Sequence, residues 1–169
     1  GWDWPLDDGN QNNVSPKNTI GPIAMGLAHA YSYTGLASQK AALLKAGTLL
    51  LSKTNNFSPS DGYLAARLDI VFGVTTYTAH VKTNFYDQLA AGTYNRNGAG
   101  ILYNTAGYVN LIRTNRSGTQ ANLAAWDVGM GLVGAVMCGS SDITPWVTEA
   151  EAEINELDGG GSYPSYKFY

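Results

Sequence analysis

The chain has 169 residues, 44% hydrophobic and only 14% charged, with a net charge of −3. That length supports one domain with a real core, and the apolar content excludes extensive disorder. Its 10 Lys and Arg residues are too sparse to track nucleic-acid phosphates, and no apolar run is long enough to span a bilayer.

The opening residues Gly1 to Asn10 read as a loop-like N-terminus, with Trp2 and Trp4 in need of cover. From Thr19 the pattern becomes helical, with Ile20, Ile23, Ala24, Leu27, Ala28 and Tyr31 at three- and four-residue spacing. Thr34-Gly35 ends this helix, and Ser38 is expected to cap a second one that runs to Leu51. A third helix is expected from Asp61 to Phe72, and a fourth from Thr76 through Leu89 to Gly92. Residues 93–104 are rich in Gly and Asn and read as an excursion. A short helix near residues 105–114 precedes a break at Asn115-Arg116-Ser117-Gly118. Asn122 opens a strongly apolar helix through Cys138. Thr144-Pro145 starts the last helix, where a missing proline N–H costs nothing, and Leu157-Asp158-Gly159 ends it.

These helices pair as hairpins. In each pair the first helix is rich in Ala and Gly, and the second carries the charges: Lys40 and Lys45 in one, Glu149, Glu151, Glu153 and Glu156 in another. Small residues allow close helix approach, so an inner layer of small-residue helices beneath a more polar outer layer is expected. A faint echo between residues 25–30 (MGLAHA) and 130–135 (MGLVGA) is consistent with a repeated unit.

Trp2-Asp3-Trp4-Pro5 ahead of helical hairpins, and Ala124-Ala125-Trp126-Asp127 leading into a Gly/Ala-rich helix, resemble the α/α-toroid superfamily. That superfamily includes terpenoid cyclases and prenyltransferases, and its toroidal fold is shared with polysaccharide lyases and glycoside hydrolases. The resemblance implies an all-α domain over residues 1–158, a partial toroid of six to seven helices. Residues 159–169 follow as a Gly-rich hinge and extended aromatic tail. Three hairpins are about half of a six-hairpin ring and the aspartate-rich prenyl-cyclase motif is missing, so no catalytic role carries over.

Glycan cleavage needs an acid and a base on opposite sides of a bond. The carboxylates suited to this are Asp69, inside an apolar helix, Asp127 beside Trp126, and Asp7 with Asp8; Trp2, Trp4 and Trp126 could line a sugar cleft. The plainer reading sets Asp127 at its helix N-terminus and pairs Asp69 with Arg67, His80 or a tyrosine. His29 and His80 lack a second histidine at ligand spacing and read as structural. Asp8-Gly9-Asn10-Gln11-Asn12-Asn13 imitates the start of a calcium loop, but the glycine and final glutamate such a loop needs are missing. No cofactor is implied.

Cys138 cannot form a disulfide within the chain and reads as a buried, inert thiol. Sequons begin at Asn13, Asn56 and Asn115, all in expected loops. The tail residues Tyr163, Tyr166, Phe168 and Tyr169 could dock as an extended arm on an adjacent copy, or cover the chain's own helices. The chain starts at Gly1, which points to a mature secreted product or a piece of something longer. Two functions fit. One is a non-catalytic extracellular module that assembles with copies of itself or with other domains of a surface protein. The other is a carbohydrate-active enzyme or sugar-binding module.

Overall fold

The computed structural model describes residues 20–116 and 121–157. Trp2, Trp4, Asp7, Asn13 and the tail residues Tyr163, Tyr166, Phe168 and Tyr169 lie outside them. The fold is all-α: α1 (Ile20–Thr34), α2 (Ala37–Leu51), α3 (Asp61–Phe72) and α4 (Thr76–Val81) come first. A π-helical turn at Lys82–Tyr86 carries α4 directly into α5 (Asp87–Ala90). A small hairpin, β1 (Tyr94–Asn95) with β2 (Leu102–Tyr103), is followed by α6 (Thr105–Arg116), α7 (Ala121–Met137) and α8 (Thr144–Leu157). With α4 and α5 taken as one, there are seven helices among the described residues.

Periodicity located these helices closely, and the departures have local causes. Ser38 does not cap α2: the chain enters from extended Leu36, and Ser38 already lies inside the helix. α6 runs two residues past the expected stop, so Asn115 falls in a helix rather than a loop. Residues 93–104 do leave the helical pattern, and they pair Tyr94 with Tyr103 across the antiparallel hairpin. The π turn has no counterpart in the sequence reading. Its wider winding accompanies two consecutive large aromatics, Phe85 and Tyr86, that are both buried.

Three hairpins form as expected: α1 packs on α2, α3 on α4, and α7 on α8. Both α1 and α7 also pack against α3, which makes α1, α3 and α7 an inner layer. The remaining helices cover one side of it. Between the layers runs an aromatic core of Phe57, Phe85, Tyr86, Tyr94, Tyr108 and Trp146. Phe85 meets Tyr108 edge-on at 5.2 Å between ring centroids, and Tyr108 meets Trp146 at 6.1 Å. Offset and edge-on contacts of this kind suit the charge distribution of aromatic rings.

Small residues set the inner-layer spacing, as the composition suggested. A β-carbon on Gly62 would lie 2.8 Å from the Cα of Gly134, and one on Gly134 would lie 2.9 Å from the Cα of Gly62. Helices α3 and α7 therefore meet backbone to backbone. The Tyr86 hydroxyl fills the remaining gap and donates to the Gly131 carbonyl at 3.1 Å. The echo between residues 25–30 and 130–135, by contrast, is not a structural equivalence. Ala28 is buried where Val133 is exposed, and Gly26 is open where Gly131 is covered by Trp146.

Burying this many weak acids has a consequence at high pH. Desolvation pushes Tyr94 and Cys138 each up to about 12, and burial also raises Tyr86 and Tyr108 above the ordinary tyrosine value. A folded-state pKa above the unfolded value means that the unfolded chain binds fewer protons in the interval between them. Stability from these groups is thus complete below their unfolded values, near 9 for cysteine and 10 for tyrosine, and is lost as pH rises. Each group contributes a slope of about 1.4 kcal/mol per pH unit. Urea midpoints should fall steeply above pH 10; a flat profile to pH 12 would contradict this burial.

Candidate functional site

The polar groups that sequence reading offered as chemistry are engaged by the fold itself. Asp69 is buried on α3, and its carboxylate sits at the start of α4. One oxygen accepts from the Tyr77 N–H at 3.0 Å; the other accepts from the Thr78 N–H at 2.9 Å and the Thr78 hydroxyl at 2.6 Å. Its partners are backbone donors at a helix start, not Arg67, His80 or a tyrosine. Asp69→Ala should cost about 1–2 kcal/mol of stability, as loss of a helix cap does. A chemical-denaturation series checks this; unchanged stability would show that the carboxylate is available for other work.

Below it lies a second polar cluster. Lys53 and Asp61 form an ion pair at 2.6 Å with both side chains almost wholly buried. The Ser58 N–H donates to the same Asp61 oxygen at 2.8 Å. Burial pushes the Asp61 carboxyl upward, while Lys53 and Ser58 pull it back. The loop between Lys53 and Asp61 turns Phe57 into the core. Its N–H donates to the Tyr94 hydroxyl at 3.1 Å, and its carbonyl accepts from Tyr108 at 3.3 Å. His80 bonds the Lys53 carbonyl through Nε2 at 2.9 Å and meets the Asn84 amide through Nδ1 at 3.3 Å. A carbonyl can only accept, so Nε2 is the donor in the first of these contacts. His80 thus braces the loop, while His29 is exposed on α1. The Cys138 thiol points to the Gly62 carbonyl at 3.7 Å. Among the described residues no group of three His, Cys, Asp or Glu side chains could hold a metal.

Among the described residues the fold also leaves several large apolar side chains open to solvent. The core-facing side of α3 carries Leu64 and Leu68. Its far side carries Tyr63, Arg67 and Ile70 at intervals of four and three residues, with Ile70 62% exposed. On α7, Val128 and Ala135 face the core. The opposite side presents Trp126, Met130, Val133 and Met137, a run at i, i+4, i+7 and i+11. Trp126 is 46% exposed, and Val136 beside the run is 57% exposed. The only charge on α7 is Asp127, which is half-buried and engaged within the fold. Both stripes lie on the side of the inner layer turned away from the aromatic core.

A helix that is apolar all round belongs in an interior, yet among the described residues α7 is covered on one side only. Isolated exposed hydrophobes are ordinary; a continuous uncharged stripe is not. Comparison of the chain with protein families, with characterised proteins and with solved structures returned no match. The site therefore rests on geometry alone.

Of the residues singled out from sequence, Trp126 falls on this surface and Asp127 sits next to it in the chain. Asp69 is committed to α4 and takes no part in it. Asn56 is half-buried between Asn55 and core residue Phe57. Ile70, Val133, Val136 and Met137 escaped sequence reading, although α7 offered a signal: its sequence has no polar face at all.

Proposed function

We propose that this chain is a non-catalytic, extracellular structural module that assembles with copies of itself or with other domains of a larger surface assembly. The uncovered apolar side of α7 carries this reading, because water contact along such a stripe is unfavourable by about 25 cal/mol per Å². Low charge supports it by limiting repulsion between copies. Tyrosine and tryptophan supply contact area of the kind that interfaces favour. We read the three layered hairpins as part of an α/α toroid.

The test is self-association. Sedimentation velocity over a range of concentrations should show oligomers for the native chain. Val136→Glu should give monomers with unchanged helical circular dichroism, since that position is open to solvent. A native chain that stays monomeric at every concentration would defeat the proposal.

A second reading, a sugar-binding module or a polysaccharide-cleaving enzyme, draws on the exposed Trp126 ring. Aromatic faces are suited to stacking on sugar rings. The enzymatic version is weakened because both Asp69 carboxylate oxygens are taken up by donors of α4. Retardation of the chain in polysaccharide-containing gels, abolished by Trp126→Ala, would favour the sugar-binding version.

A further inference from the structure

We propose that copies of this chain assemble head to tail, the outer side of α8 from one copy lying along α3 of the next with Glu151 paired to Arg67. This rests on the self-assembly reading and names the second surface and the charge pair that such assembly uses.

Two stripes match. The outward side of α3 carries Tyr63, Arg67 and Ile70, and the outward side of α8 carries Val147, Glu151 and Ile154. Each sets one charge between two apolar residues at i, i+4 and i+7, the spacing that keeps all three on one side of a helix. Laid together, the stripes bring opposite charges into contact and cover Ile70 and Ile154, both largely exposed.

The two charges are uncommitted. Arg67 and Glu151 take part in none of the ion pairs among the described residues. The Arg67 Nε is closed off from solvent and meets no acceptor there. A carboxylate that reached this guanidinium would satisfy a donor that is costly to leave unpaired. Of the described acidic side chains on α8, Glu153 is buried and Glu149 meets Arg113 of α6 at 3.4 Å. Glu151 alone faces outward, between Val147 and Ile154. Lys40 and Lys45 on α2 are exposed and hydrated, whereas Arg67 is half-buried in an apolar setting, where an ion pair is screened less.

Placement lets the contact propagate. Tyr63 and Ile70 lie across α3 from the core residues Leu64 and Leu68. Glu151 lies across α8 from Trp146 and Glu153, both buried. The stripes therefore leave the core in opposite directions, one from the inner layer and one from the layer that covers it. A copy engaged through one stripe keeps the other free, the condition for open-ended stacking rather than a closed pair. The α3 stripe also borders the bare side of α7, because the two helices meet at Gly62 and Gly134. One neighbour can thus cover both.

The experiment makes Arg67→Glu and Glu151→Arg singly and together in the full chain, with circular dichroism as the check on folding. Sedimentation velocity should show native chain forming species that grow past the dimer as concentration rises. Each single reversal opposes like charges and should raise the concentration needed for assembly by about tenfold or more. The double reversal should restore assembly. An equal mixture of the two single variants should co-assemble, since each supplies the charge that the other lacks. Glu151 is exposed, so its reversal leaves the fold intact and tests the pair by itself if Arg67→Glu does not fold. A Glu151→Arg variant that assembles like native chain, or a folded double reversal that fails to recover, would show the pair to be wrong while self-assembly stands. Native chain that stops at a dimer overturns the head-to-tail arrangement. Native chain that stays monomeric overturns this proposal together with the self-assembly reading.

Discussion

Lys53→Met should destabilise the protein by about 3–5 kcal/mol, the range for removing one partner of a buried ion pair. The reason is the charge left behind. Asp61 is almost fully enclosed and one of its oxygens already lacks a hydrogen-bond partner. Without Lys53 its carboxyl would rise further and take up a proton more readily. The folded-state value would then stand well above the unfolded one, so the deficit would be full at high pH and shrink as pH falls through the folded value. Urea titrations at several pH values would show the mutant approaching wild type in acid. The double change Lys53→Met with Asp61→Leu should recover much of that loss, since no charge is left unpaired, although the Ser58 N–H loses its acceptor. If the single change costs under about 1 kcal/mol at neutral pH, the pair is solvated and this account of the loop fails.

The second large effect is expected at Trp146. Its indole is fully buried, packs against Tyr108 and lies over Gly131. Trp146→Ala should cost about 3–5 kcal/mol, the usual range for emptying an aromatic site in a core. Gly131→Val tests the same contact from the other side. A β-carbon there would collide with Cζ3 of the Trp146 ring, and overpacking of this kind costs about 1–3 kcal/mol. Because the two residues touch, the effects should not add. The double mutant, in which the emptied indole site makes room for the added valine side chain, should be more stable than the sum of the singles implies. Strict additivity in thermal or urea unfolding would mean that α7 and α8 are not joined through this contact.

Much of the fold could be read from periodicity, because the apolar spacing along α1, α3 and α8 follows directly from burying one side of each helix. The hairpin pairing was legible for the same reason: short links between consecutive helices leave few alternatives. Ser38 misled because a capping residue type near a helix start is common, and the chain here turns earlier without using it. The Lys53–Asp61 pair was hidden, since neither residue stands out in a loop-and-helix-start context; only the tertiary placement of Phe57 forces the two together. Asp69 was recognised as a buried carboxylate needing partners, but its partners are backbone donors, which no side-chain pattern marks. The α7 surface was half legible. Its shortage of polar residues, Asn122 and Asp127 alone, was plain, but an apolar helix reads as buried on every side, and which side stays bare depends on what packs beside it.

Phe57 has a further bearing on how the molecule comes apart. Its two backbone groups are held by hydroxyls 37 and 51 residues downstream, from the small β-hairpin and from α6. Stacked helical pairs that touch only their neighbours can unravel one unit at a time. Here the turn between the first two hairpins is fastened by residues of the later half, so fraying at one end loosens the other. The molecule is therefore built to lose its structure in a single cooperative step, with no stable half.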